Sequence, residues 1–151
     1  MKILIIDDEK MARENCLMVL SRSGIENLTV READSVPAAL AEIDAFNPDL
    51  LLLDIQLHDR TGFDILQEIA PRYIPTIFIT AYNDFALKAF QVSALDYLLK
   101  PFDPSDLTVA LLKAQKKIQN NRILEQLDVF RQQLKPAGAK RIVLNTADTL
   151  H

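Results

Sequence analysis

The 151-residue chain has no Trp, one Cys and three Gly, and each shortage excludes something. A single Cys, Cys16, rules out an intramolecular disulfide and points to a reducing cytoplasm. Lying within an expected helix, it reads as a small apolar residue of the interior. The glycines are Gly24, Gly62 and Gly138, so no G-x-G turn exists and a dinucleotide enzyme is excluded. No apolar stretch approaches the ~20 residues of a membrane span, and the first apolar run is short and ends in three acids, which does not suit a signal peptide. A soluble cytoplasmic protein is expected. No internal repeat or low-complexity segment is visible.

Basic residues are scarce in the larger part of the chain. Residues 1–106 carry nine Lys and Arg against eighteen Asp and Glu, whereas residues 107–151 carry eight against three, which gives the net charge of −4. The acidic part is a poor nucleic-acid binder, because that affinity needs cations to neutralise phosphates. The basic tail suggests an extension that meets something else. Hydrophobic residues make up 49% of the chain, enough for one full α/β core with a stretch left over.

What the chain does have is a set of short apolar, β-prone runs: Ile3-Leu4-Ile5-Ile6, Leu50-Leu51-Leu52-Leu53, Ile77-Phe78-Ile79 and Tyr97-Leu98-Leu99. They do not alternate, so they suit strands buried on both faces of a parallel sheet. Each run is followed at once by polar chemistry: Asp7-Asp8-Glu9, Asp54, Thr80 and Lys100-Pro101. Ligands collect at the carboxyl ends of such strands. Three carboxylates, a hydroxyl and an ammonium are therefore expected at one rim. Close carboxylates repel unless a divalent cation sits among them, and the lone Lys and Thr then need an anion to hold. A phosphoryl group is the simplest such anion.

Strand and helix signals alternate every 20 to 25 residues or so, the rhythm of βα units. Strands are expected near 2–6, 28–33, 50–53, 75–80 and 96–99, and helices near 10–23, 35–46, 62–70, 84–92 and from 104 onward. Ser35 with Pro37 begins the second helix and Asn47-Pro48-Asp49 ends it; Thr61-Gly62 opens the third, and Asn83 or Asp84 is expected to cap the fourth. The fold class follows: a flavodoxin-like, doubly wound, five-stranded parallel sheet of order 2-1-3-4-5 with five helices, its switch point between the first and third strands.

The last helix is longer than this fold requires. Leu107, Leu111, Ala114 and Ile118 form an apolar stripe, and Leu127, Phe130 and Leu134 resume the 4,3 spacing after Gln119-Asn120-Asn121-Arg122, as a linker or dimerising helix would. Pro136-Ala137-Gly138 is expected to stop it. Lys140 to Leu144 reads as a strand and Asn145 to Thr149 as a turn. An isolated strand is unstable, so a second domain is expected to begin there.

The spacing of Ile5-Ile6-Asp7-Asp8-Glu9, Leu53-Asp54-Ile55, Gly62, Ile79-Thr80-Ala81 and Leu99-Lys100-Pro101-Phe102 resembles the receiver domain of bacterial two-component response regulators. The longer wording from Thr80 to Phe90 and from Ala94 to Phe102 resembles the LytTR class, whose output is a DNA-binding domain made mainly of strands. The resemblance implies a receiver over 1–120, a helical linker over 121–139 and the truncated start of that DNA-binding domain over 140–151. It implies that Asp54 accepts a phosphoryl group from a sensor histidine kinase. Asp8, Asp54 and the backbone carbonyl of Gln56 would hold Mg²⁺, with Asp7 at its edge or through water. Lys100 would pair with the phosphoryl oxygens, Thr80 would donate its hydroxyl, Tyr97 would be the switch aromatic, and the bond before Pro101 would be cis. The domain would catalyse only its own phosphorylation and dephosphorylation, form a homodimer on activation, and reach DNA only through the further domain.

The sequence departs from the family pattern at His58, four residues after Asp54, where Pro is common; His58 reads as an exposed loop residue. Gln56 and Tyr82 flank the approach to the phosphoryl group. Other readings fare worse. A flavin mononucleotide carrier would need a hydroxyl- and glycine-rich first loop, which Asp7-Asp8-Glu9 is not. A haloacid-dehalogenase-type phosphatase would want an Asp where Gln56 stands. A pseudo-receiver acting only as an interaction or dimerisation module would have lost Asp54 or Lys100.

Overall fold

The computed structural model describes residues 1–134. In chain order they form β1 (Lys2–Ile6), α1 (Lys10–Arg22), β2 (Thr29–Ala33), α2 (Val36–Phe46), β3 (Leu50–Leu53), β4 (Gln56–Leu57), β5 (Arg60–Thr61), α3 (Gly62–Ile69), β6 (Thr76–Thr80), α4 (Ala86–Gln91), β7 (Asp96–Leu99) and α5 (Pro104–Leu134). The main sheet is parallel with order β2-β1-β3-β6-β7. This is the expected 2-1-3-4-5 order once the short β4-β5 hairpin is set aside.

The three central strands are β1, β3 and β6, and their apolar residues are buried on both faces, Leu50 to Leu53 and Thr76 to Thr80 without a break. Of the outer strands, β7 differs from the sequence reading. In β7 the run Tyr97-Leu98-Leu99 is only half buried, and Leu99 is exposed, because β7 has a neighbour on one side only. The edge strand β2 buries Ala33 alone.

Helix ends follow local chemistry where short polar side chains serve it. Ser35 Oγ accepts the Ala38 N–H at 3.2 Å, with Pro inside the first turn, and α2 ends at Asn47 in the left-handed region, φ 53°, as capping preferences lead one to expect. At α3 the Asp64 carboxylate accepts the Thr61 N–H at 2.9 Å, the reciprocal half of a capping box. The fourth helix departs from expectation. It starts at Ala86 behind Phe85, which gives no side-chain cap; neither Asn83 nor Asp84 occupies that position. Phe85 is held by ring packing instead, its centroid 6.1 Å from Phe63 and 6.3 Å from Tyr82.

Of the α5 stripe, Leu107, Leu111 and Ala114 are buried. The chain divides into a compact unit of Met1–Lys116 and a second unit beginning at Lys117. In the described part of the second unit the helix continues to Leu134, with Ile123, Leu127, Phe130 and Leu134 exposed. The expected strand at 140–144, the helix stop at Pro136 and the start of a further domain lie outside the described residues. Cys16 is buried, as expected, and burial, assisted by the nearby Asp7 charge, pushes its thiol up to about 12, leaving it a poor nucleophile.

Gly62 sets how closely α3 approaches the end of β3. A Cβ built there would lie 2.4 Å from the Asp54 carbonyl oxygen and 2.9 Å from Leu53 Cγ, while the Gly62 N–H donates to the Ile55 carbonyl at 2.7 Å. Backbone cannot step aside as a flexible side chain can. Gly62→Ala is therefore expected to lower stability by about 1–3 kcal/mol through overpacking, measured by urea unfolding; an unchanged midpoint would show that α3 is free to withdraw.

Candidate functional site

The parallel ladder positions the site. The Asp7 N–H donates to the Ala33 carbonyl at 3.1 Å, the Asp54 N–H to Ile6 at 2.9 Å and the Lys100 N–H to Thr80 at 2.8 Å. Each functional residue is thus the last hydrogen-bonded step of its strand, and its side chain starts where the sheet stops. Lys100 Nζ donates to Asp7 Oδ2 at 2.7 Å and to Asp54 Oδ2 at 2.9 Å, joining the ends of β7, β1 and β3. The remaining oxygens are also held: Asp54 Oδ1 accepts the Ile55 N–H at 2.6 Å, and Asp7 Oδ1 accepts the Glu9 N–H at 2.9 Å. The Lys100–Pro101 bond is cis, as the resemblance implied.

Asp7 and Asp54 are only 5% and 6% exposed. Burial pushes the Asp7 carboxyl above the usual carboxylate range, and the Asp54 charge adds to this, against the opposing pull of Lys100 and the Glu9 N–H. For Lys100, burial works against the ammonium, but its bonds to Asp7 and Asp54 outweigh that and hold it above the ordinary lysine value. One ammonium thus faces two buried carboxylates, with Asp8 next in sequence.

Asp8 is outside this bridge. Its Oδ2 accepts the His58 N–H at 3.2 Å and lies 3.8 Å from His58 Nδ1. Carboxylate oxygens of Asp7, Asp8 and Glu9 lie within 4.8 Å of one another, an all-oxygen donor group suited to a hard divalent cation. Glu9 was not among the ligands expected from sequence. Gln56 is exposed in β4, and its side-chain amide donates to the His58 carbonyl at 2.9 Å.

His58 is exposed, as expected, yet its backbone takes part in the site. Its φ of 60° lies where proline, fixed near −65°, cannot go. A proline could not follow the path this chain takes between Leu57 and Arg60, which pair across the hairpin.

Thr80 is fully buried, and its Oγ1 accepts the Tyr82 N–H at 3.4 Å. Among the described residues no hydrogen bond joins its hydroxyl to Asp54 or Lys100. The Tyr97 hydroxyl donates to the carbonyl of the same Tyr82, and its ring packs 6.2 Å from Phe78. Sequence reasoning missed Arg13, whose guanidinium donates to the Asp7 carbonyl at 2.8 Å and to Glu32 at 3.1 Å. Only a cation one turn past the acidic loop hinted at it.

The family model described as the response regulator receiver domain matches residues 3–112. A sensory transduction protein LytT of Enterococcus faecalis is 45% identical over 123 residues, covering 78% of this chain and 49% of that protein. The positive alginate biosynthesis regulatory protein of Pseudomonas aeruginosa is 39% identical over 118 residues, covering 77% and 48%. The chain thus spans about half the length of these curated relatives. Among solved structures, the response regulatory domain of protein mrkE from Klebsiella pneumoniae superposes with a TM-score of 0.72 at 25% identity, covering 80% of this chain and 99% of that one.

The raised Asp7 carboxyl makes a pH-dependent prediction. A folded value above the unfolded one means the group favours folding below its unfolded value and loses that contribution as pH rises through the folded value. Asp7→Asn removes the ionisable group, so in metal-free buffer the variant is expected to melt higher than the parent at pH 7, and the gap is expected to close toward pH 3. Thermal melts across that range decide it; a variant that melts lower at neutral pH would show that the Lys100 pairing outweighs burial.

Proposed function

The chain belongs to the response regulator receiver domain family, and on that premise we propose that Asp54 accepts a phosphoryl group from a sensor histidine kinase in a Mg²⁺-dependent reaction, so switching a C-terminal DNA-binding output. The observation that carries this reading is the Lys100 bridge: a buried Asp at a strand end, with an ammonium already 2.9 Å from its carboxylate. The domain turns over no substrate of its own. It catalyses only the gain and loss of its own phosphoryl group, in the cytoplasm.

In the transfer, a carboxylate oxygen of Asp54 attacks the phosphorus of a phosphohistidine. The new bond is O–P, the P–N bond breaks, and its electron pair leaves with the imidazole. Lys100 stays beside the incoming oxygens and takes up charge that it now shares between two carboxylates. Asp7 and Asp8, with the Asp54 carboxylate and the Gln56 carbonyl, would hold the metal, and Asp7 and Asp8 offer the oxygen donors that magnesium favours. Bound there, Mg²⁺ screens the attacking carboxylate and neutralises charge on the transferring group.

Phosphorylation replaces the single carboxylate charge of Asp54 by roughly −2 on the phosphoryl oxygens. Thr80, whose hydroxyl rests on the Tyr82 N–H, would turn to the phosphoryl oxygens, and Tyr97, tied to the Tyr82 carbonyl, would follow the freed segment inward. We assign the receiver to residues 1–120, a helical linker to 121–139 and the start of a LytTR-type domain to 140–151. Homodimer formation on activation belongs to the same reading, and DNA is reached only through the further domain.

With Mg²⁺ and acetyl phosphate the protein is expected to gain one phosphoryl group by intact mass, and Asp54→Asn none; a full shift in that variant would move the nucleophile elsewhere. In sedimentation runs, phosphodonor is expected to increase self-association, and Thr80→Ala to weaken that response. An identical mass distribution with and without donor would argue that activation reaches the output domain without receiver dimerisation.

A further inference from the structure

Away from the carboxylate rim, a cavity of about 500 Å³ opens between α3, the segment leading into β6, and α4. Phe63, Leu66, Ile74 and Val92 give it apolar walls. The Tyr73 hydroxyl donates to the Ser93 carbonyl at 2.8 Å, tying one rim to the end of α4. Its size falls within the roughly 300–1,000 Å³ typical of small-molecule sites.

The charges around it are unbalanced. Asp64 is already engaged, accepting the Thr61 N–H at 2.9 Å and lying 3.7 Å from Arg60. Arg72 donates to the neutral side chain of Asn47. Lys88 Nζ sits 4.5 Å from the centroid of the Phe63 ring, and none of the ion pairs among the described residues includes it. Two cations without a carboxylate partner thus border an apolar hollow. From this complementarity we propose that the cavity binds a small organic anion with a flat apolar body, of the aromatic carboxylate class. The carboxylate meets Lys88, and the body lies against Leu66, Ile74 and Val92.

The walls are continuous with the interior. Phe63 packs 5.0 Å from Phe78 and 6.1 Å from Phe85, and Phe78 packs against Tyr97. An occupant leaning on Phe63 therefore leans on the packing around the Tyr97 ring.

The test titrates isotopically labelled protein with 2-naphthoate and with its neutral analogue 2-naphthamide, following backbone amide shifts. Saturable shifts are expected at residues 63–76 and 88–92. The acid is expected to bind about tenfold tighter than the amide, the difference one charge-assisted hydrogen bond makes. Lys88→Gln should erase that preference and Lys88→Arg should keep it. Equal affinity for acid and amide, a preference unchanged in Lys88→Gln, absence of saturation, or shifts confined to the outer face of α4 at Leu87 and Phe90 would each overturn the proposal.

Discussion

The Lys100 bridge is the constraint on which the rim depends. It connects residues 93 and 46 positions apart in sequence, pinning the end of the edge strand β7 to the ends of β1 and β3. Such a bridge is poor evidence of stability, since desolvating three charged groups offsets much of the Coulomb attraction. Its physical effect is placement. With both carboxylates anchored on backbone N–H groups at their other oxygens, the ammonium has one position that serves both. Burial nevertheless holds the Asp7 carboxyl above the usual carboxylate range, with the Asp54 charge a lesser contributor, against the pull of Lys100 and the Glu9 N–H.

The second consequence lies at the backbone of Tyr82. Its N–H is taken by the Thr80 hydroxyl and its carbonyl by the Tyr97 hydroxyl, so a single residue, through its two flanking peptide groups, joins the end of β6 to the edge strand. Moving either hydroxyl changes what the other can hold. Tyr97 is suited to this because β7 is an edge strand and leaves its ring half-buried. A fully interior aromatic could not shift without opening a cavity, which cores resist.

Much of this was legible in the sequence because it rests on strand burial. Ile3 to Ile6, Leu50 to Leu53 and Ile77 to Ile79 read as strands buried on both faces, and they are so, with the residues following them at one rim. What escaped reading was set by tertiary packing. Nothing local distinguishes Tyr97-Leu98-Leu99 from a central strand; only the count of neighbours does. The fourth helix starts at Phe85 because ring contacts with Phe63 and Tyr82 fix that residue, overriding the polar residues before it. The β4-β5 hairpin was invisible because two-residue strands carry no periodicity. The Asp8–His58 contact spans 50 positions and rests on a backbone N–H, which no side-chain pattern advertises.

The segment from Asp54 to Gly62 shows how a site can be rigid in backbone and open in side chains. Its ends are fixed by close approach: the Gly62 N–H on the Ile55 carbonyl, and no room for a Cβ against the Asp54 carbonyl. Its turn is fixed by the positive φ of His58, and the resulting N–H reaches back to Asp8. The side chains of Gln56 and His58 meanwhile point into solvent-exposed positions beside the carboxylates, carrying no share of the core. The Asp54 carboxylate is therefore anchored by the backbone on both sides, whereas the side chains of Gln56 and His58 beside it are exposed.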